Sequence, residues 1–228
     1  ISFRFSGLRL AGRPAVRPSL LALAGFATMA ALYGASAGHP YRQQAIYHVL
    51  GLLAPCAVVA GVLRQRPARR LPWFVVAAGM TFTAAGDFWW DTVGWLGGVA
   101  SFPSGADVVY LTGYLFLTVG LWMLARRAIA MRGLDYLDCG ILGGAIMLIV
   151  FVVLIAPTID QPGTVVGHFV GSAYPTLDAT LLIVGIPLML RRHRNATVVL
   201  LAAFAALTFG ADLIYGVEEL HGSYMVGG

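Results

Sequence analysis

Lysine is absent from these 228 residues, cysteine occurs twice, and charged side chains of any kind make up 11% of the chain. A soluble domain carries about 25% charged residues, so this scarcity excludes a water-soluble enzyme and a disordered chain alike. The missing lysine also changes the meaning of the basic pI of about 9.6. All 15 basic residues are Arg, set in short clusters between apolar runs rather than along a nucleic-acid-binding face. Nucleic acid is therefore not an expected partner. Cys56 and Cys139 stand in different apolar runs with no metal-type spacing around them, which reads as two free thiols.

What replaces charge is apolar surface, 59% of the chain with a mean hydropathy of +0.80. A membrane span takes about 20 apolar residues at a rise of 1.5 Å each. Seven segments meet that length: Pro18–Ser36, Gln44–Leu63, Leu71–Trp90, Ser104–Ala125, Leu134–Ala156, Val165–Leu190 and Ala196–Val217. Lipid offers no partner to a bare backbone, so the runs should be helices, and the fold class expected is an all-α, polytopic bundle of seven transmembrane helices. Residues 1–17 then form a basic segment in the cytoplasm or on the inner membrane surface, 18–217 the bundle, and 218–228 an extracytoplasmic end leading towards a further span. The chain opens on Ile1 rather than Met and stops at Gly227-Gly228 just past an apolar run, in keeping with a piece of a longer polypeptide.

Orientation follows from the arginines. Arg4, Arg9, Arg13 and Arg17 precede the first span; Arg64, Arg66, Arg69 and Arg70 separate the second from the third; Arg126, Arg127 and Arg132 follow the fourth; Arg191, Arg192 and Arg194 follow the sixth. Arg42 alone falls on the other side. The positive-inside rule places the N-terminus in the cytoplasm and residue 228 outside. An Arg-rich start, an apolar stretch and Ala35-Ser36-Ala37 also have the pattern of a signal peptide, but we read the segment as a retained span.

With depth assigned, the acids gather on the outer side. Asp87 and Asp91 end the third span, Asp107 opens the fourth, Asp178 sits in the sixth and Asp212 in the seventh, with Glu218 and Glu219 just beyond. Only Asp135 and Asp138 belong to the inner rim, where Asp138 pairs naturally with Arg127 or Arg132. Ionisable groups at membrane depth are costly and face a bundle interior or a cavity. Asp87 and Asp91 are spaced i,i+4; Asp107, Tyr110 and Tyr114 share one helical stripe; Asp212, Tyr215 and Glu219 share another. An acidic, aromatic pocket open to the outside is the expected result. Trp89, Trp90 and Trp95 near it suit an interfacial belt or, through their faces, a cationic ligand.

Two short patterns recur. Phe102-Pro103-Ser104-Gly105-Ala106-Asp107 and Tyr174-Pro175-Thr176-Leu177-Asp178 each place an aromatic, a Pro and then an Asp within about a turn. Pro at a first helical position and an acid in the first turn both stabilise a helix start, which accounts for Asp107 and Asp178 without any ligand. The sixth helix either begins at Pro175, letting His168 hang over the pocket, or runs through it with a kink. Gly86-Asp87 and Ala211-Asp212 form the second pair, with Phe82 and Phe209 upstream, and the small residues allow close helix approach.

Catalytic chemistry finds little support. His48 and His168 are the candidate metal ligands beside the carboxylates, yet no HxxxH or HExxH spacing is present, and haem ligation by the same pair has no spacing behind it either. No catalytic residue is assigned and the cofactor is unknown. Ser104 and Ser172 lack a nucleophile motif.

Taken together, Gly86-Asp87 followed by Trp, Pro103-Ser104-x-Ala106-Asp107-x-x-Tyr110 with Tyr114, Tyr174-Pro175-x-x-Asp178 and Ala211-Asp212-x-x-Tyr215 resemble the multi-span N-terminal membrane sensor region of bacterial, especially actinobacterial, cyclic-di-GMP signalling proteins with GGDEF and EAL domains. The resemblance covers Leu71 to the end and implies a sensory input module whose cytoplasmic output, a diguanylate cyclase or phosphodiesterase, lies outside these residues. The ligand-binding residues expected are Asp87, Asp91, Asp107, Tyr110, Tyr114, Tyr174, Asp178, Asp212 and Tyr215. Expected partners are the lipid bilayer, a small molecule or cation, and a second copy of the chain as a homodimer. An intramembrane metal-dependent hydrolase using the outer Asp/His cluster, and a small proton- or cation-coupled transporter, are the alternatives.

Overall fold

The computed structural model describes residues 16–98, 102–128, 133–189 and 196–221. Every regular element among them is helical: α1 (Val16–Ala35), α2 (Pro40–Gln65), α3 (Leu71–Trp95), α4 (Gly105–Ala128), α5 (Gly133–Val150), α6 (Val165–Met189) and α7 (Ala196–Leu220). A π-helical turn, Phe151–Ile155, and an α turn, Ala156–Asp160, carry α5 onward with helical backbone angles throughout. Each apolar segment of the sequence is thus a helix. The Arg-bearing stretch 1–15, the cluster at 191–194 and residues 222–228 lie outside the described residues.

Four helical stretches, in α2, in α4, from Leu137 to Asp160 through α5 and the two turns that continue it, and in α6, are long and apolar enough to cross a membrane. Their bare faces fit that setting. Ile141, Leu148, Val152 and Phe169 are exposed, Ile141 at 70%, and contiguous apolar surface of this kind marks a membrane or partner contact. Among the described residues the protein is all-helical, and its four long apolar helices suit a membrane-embedded chain. In α3 the apolar run is diluted by Thr81, Thr83, Gly86 and Asp87, and by tryptophans towards both ends.

Two compact units divide the chain, residues 1–47 and 48–228. The first holds α1 and the opening of α2, joined by a tight turn in which His39 N donates to Ser36 O at 2.9 Å. Gly38 there has φ of +82°, a left-handed angle that a side chain would resist.

In the second unit α3 and α4 pack backbone to backbone. A Cβ added to Gly79 would stand 2.8 Å from Leu117 N and 2.9 Å from Gly113 O, and one on Gly120 would meet Val76 Cγ2 at 2.6 Å. Glycine is what lets these helices approach, as small residues do throughout membrane bundles. Val76, Leu117, Leu121, Ala125 and Leu181 form the buried core beside this seam. Helix α6 packs on α4, α5 and α7 and is the middle element. From the π turn, Leu154 reaches α7, where a Cβ on Gly216 would lie 3.0 Å from Leu154 Cδ2.

Helix α6 is continuous through Pro175, so the reading in which it begins there does not hold. Proline forfeits one backbone bond, a loss that neighbouring hydroxyls and helices absorb in membranes. Thr176 and Thr180 each donate to the carbonyl four residues back, at 2.7 Å. His168, ten residues before Asp178, is about 15 Å from it along the axis. It does not overhang the acids: its Nε2 lies 2.9 Å from Gln161 O.

Candidate functional site

Helices α3, α4, α6 and α7 bring four aspartates and three tyrosines together at the Asp107 end of α4. The stripe Asp107, Tyr110, Tyr114 is in phase on α4, so its members reach three different neighbours. Tyr110 OH donates to Asp87 Oδ1 of α3 at 2.6 Å. Tyr114 OH donates to Asp212 Oδ2 of α7 at 2.7 Å. In the opposite sense, Tyr174 OH of α6 donates to Asp107 Oδ1 at 2.6 Å. The Tyr174 ring stands edge-on to those of Tyr110 and Tyr114, with centroids 6.4 and 6.2 Å away, and ties the three pairs into one network.

Gly86 makes this possible locally. A Cβ there would lie 2.8 Å from the Tyr110 ring, so the residue before Asp87 is small because the ring lies against the α3 backbone. Ala211, its counterpart before Asp212, is exposed and has no such role.

Asp107 is 6% exposed and fully engaged. Its Oδ2 accepts from Ser104 N at 2.6 Å and from Ser104 Oγ at 3.1 Å, while Asp107 N donates to Ser104 O at 3.2 Å. This is a Ser-x-x-Asp capping arrangement that satisfies the start of α4. The helix-start role foreseen for Asp107 is therefore present, with Tyr174 added to it.

Asp178 shares the sequence pattern but not the role. It lies in the interior of α6, where no free N–H groups await a cap, and is 3% exposed. Asp212 and Tyr114 are its close neighbours. Its Oδ1 has no hydrogen-bond partner, nor has the buried hydroxyl of Thr118, one turn along α4 from Tyr114. Ser172 Oγ is unpartnered as well. Among the described residues, neither Asp107, Asp178 nor Asp212 pairs with an arginine or a histidine. A buried carboxylate without a compensating charge or a full set of donors is costly, which singles out this spot.

The remaining sequence candidates lie apart. Asp91 faces α2, not the network: its Oδ2 is 2.8 Å from His48 Nε2. The His48 ring is held edge-on by Phe88 and Trp95 at 5.5 and 5.9 Å. Tyr215 neighbours Tyr174 yet is about half exposed. Asp138 is exposed on α5. His48 and His168 thus stand in separate environments, and no group of three His, Cys, Asp or Glu that could hold a metal occurs among the described residues. Asp107 and Asp178 are buried and Asp87 and Asp212 half-buried; a groove of about 280 Å³ is lined by Ala85, Phe88, Trp89, Thr92 and Val93 of α3.

Thr118 and the capping role of Ser104 were not foreseen. The spacing Ser104-x-x-Asp107 carries the signal for the second. Nothing in the sequence distinguishes Thr118 from the other helical threonines. No protein-family model, curated protein or solved structure matches this chain.

Proposed function

We propose that this chain is the transmembrane input module of a bacterial signalling protein, with all seven helices crossing the cytoplasmic membrane, the N-terminus inside and residue 228 outside. A small ligand or ion engages the aspartate–tyrosine network and biases a cytoplasmic cyclic-di-GMP output. The observation that carries the reading is the network itself, which links α3, α4, α6 and α7 through side-chain bonds while leaving Asp178 Oδ1 free. A ligand that takes up Asp178 in one packing of these helices and not in another shifts their equilibrium by its differential affinity, as a switch requires. Support for the class comes from the resemblance over Leu71 to the end, and for the orientation from the arginine clusters.

The test is cyclic-di-GMP content in cells producing the natural polypeptide against the Asp178→Asn form at equal membrane levels. A change of severalfold in either direction is expected. Equal content in both, with both inserted, overturns the assignment. Labelling from outside of a cysteine substituted for His221, and not of one substituted for Arg66, tests the orientation.

A second reading, a small cation-coupled transporter, is favoured by the position of Asp178 near the middle of α6. Ion flux into liposomes holding the purified chain separates the two, since an input module carries none.

A further inference from the structure

We propose that Asp178 and Asp212, together with Tyr114 and Thr118, form a binding site for a small monovalent inorganic cation between α4, α6 and α7. The inference names the ligand class for the network and rests on reading that network as the ligand site.

Two carboxylates are neighbours here in a part of the bundle without a basic partner among the described residues. Asp212 receives a hydroxyl from Tyr114, whereas Asp178 Oδ1 receives nothing although it is sealed from solvent, the residue being 3% exposed. A lone pair left in this state, beside a second carboxyl group, is met by a proton or a cation rather than by another acceptor.

Thr118 supplies the independent sign. Seven helical threonines, Thr81, Thr83, Thr92, Thr112, Thr158, Thr176 and Thr180, return their hydroxyl to the carbonyl four residues back. Thr118 Oγ1 makes no such bond and is buried without a partner. Its turn of α4 lies between Tyr114, which neighbours Asp178, and Leu121, whose Cδ2 is 3.8 Å from the Cβ position of Gly185 on α6. The free hydroxyl therefore stands one turn of α4 from Tyr114, the residue that neighbours Asp178.

The donor set consists of hard oxygens, two from carboxylates and the rest from hydroxyls, which suits alkali ions rather than soft transition metals. Calcium takes 6–8 oxygens and magnesium keeps several waters. A site with Asp178 this deeply buried, and with no third acid or histidine to join it among the described residues, meets neither demand. Sodium is accordingly the probe.

The experiment is thermal unfolding of the full chain in detergent or nanodiscs, in sodium chloride against choline chloride at equal ionic strength. Sodium should raise the midpoint by about 3–5 °C for each tenfold increase above its dissociation constant, with no rise well below it. Asp178→Asn and Asp212→Asn should abolish the sodium dependence, Thr118→Val should raise the half-saturating sodium concentration about tenfold, and Asp138→Asn should leave it unchanged. Equal midpoints in sodium and choline overturn the proposal. So does a sodium effect that survives in Asp178→Asn, a response to calcium alone, or stabilisation by acidification with no dependence on sodium, which would make the site a proton site. Because this readout needs no signalling output, sodium binding without a change in cyclic-di-GMP would remove the input-module reading and leave the cation site standing; the reverse result would do the opposite.

Discussion

At the start of α4 a buried aspartate has both oxygens engaged; in the interior of α6 another, buried as deeply, has one oxygen with no partner. Asp107 holds a capping turn and clamps α6 through Tyr174. Asp178 holds nothing with its free oxygen. The contrast separates two uses of an acid inside a membrane bundle: one in which every lone pair is spent on the protein's own donors, and one in which a lone pair is kept for something else.

That contrast can be broken by substitution. Asp107→Ala should have the largest effect, since it strands Ser104 N and Tyr174 OH in a buried setting and removes a cap, a loss of about 3 kcal/mol in a reversible unfolding assay. Gly86→Ala comes next: its methyl enters the Tyr110 ring, and about 1–3 kcal/mol of overpacking cost should be accompanied by a loss of the Tyr110–Asp87 bond, read from a shifted tyrosine absorption. Tyr110→Phe removes that bond while keeping the ring against Gly86, and should cost about 1 kcal/mol in the same assay. Asp178→Asn in choline should lie within about 1 kcal/mol of the parent, because the amide fills the same volume and replaces an oxygen that has no partner to lose. A large destabilisation there would erase the distinction from Asp107, and a negligible one at Asp107 would erase it from the other side.

The helices were legible in the sequence because a backbone in lipid has few alternatives to satisfying itself within a helix. Their ends were less so. Helix α2 begins at Pro40 rather than Gln44, α3 runs on to Trp95 past Trp90, and α5 continues to Asp160, since an apolar window stops where side chains turn polar although the backbone does not. The acids and tyrosines of the site were identifiable by type and stripe, but their pairing was not. Asp87 and Asp91 share a face of α3, yet an i,i+4 step also turns by about 40°, enough at a helix crossing for one to reach α4 and the other α2. Asp107 and Asp178 look alike over a few residues. Which of them opens a helix depends on what precedes the proline: for Asp178 it is the run from Val165 to Tyr174, itself helical and continuous with the rest.

The wide turn at Phe151–Ile155 decides where the far end of α5 points. A π turn closes i→i+5 bonds and so takes up one more residue than an α turn without breaking the helix. Upstream of it, α5 presents one set of residues to α6, with Gly143 against Ile183; downstream, Leu154 is aimed at Gly216 of α7. Excising a single residue from this turn would return α5 to an ordinary winding and rotate everything beyond it by about 100°, swinging Thr158 away from Gly171. Length variation of one residue at this point is thus a way to re-aim the end of α5 while leaving the aspartates and tyrosines of the neighbouring helices in place.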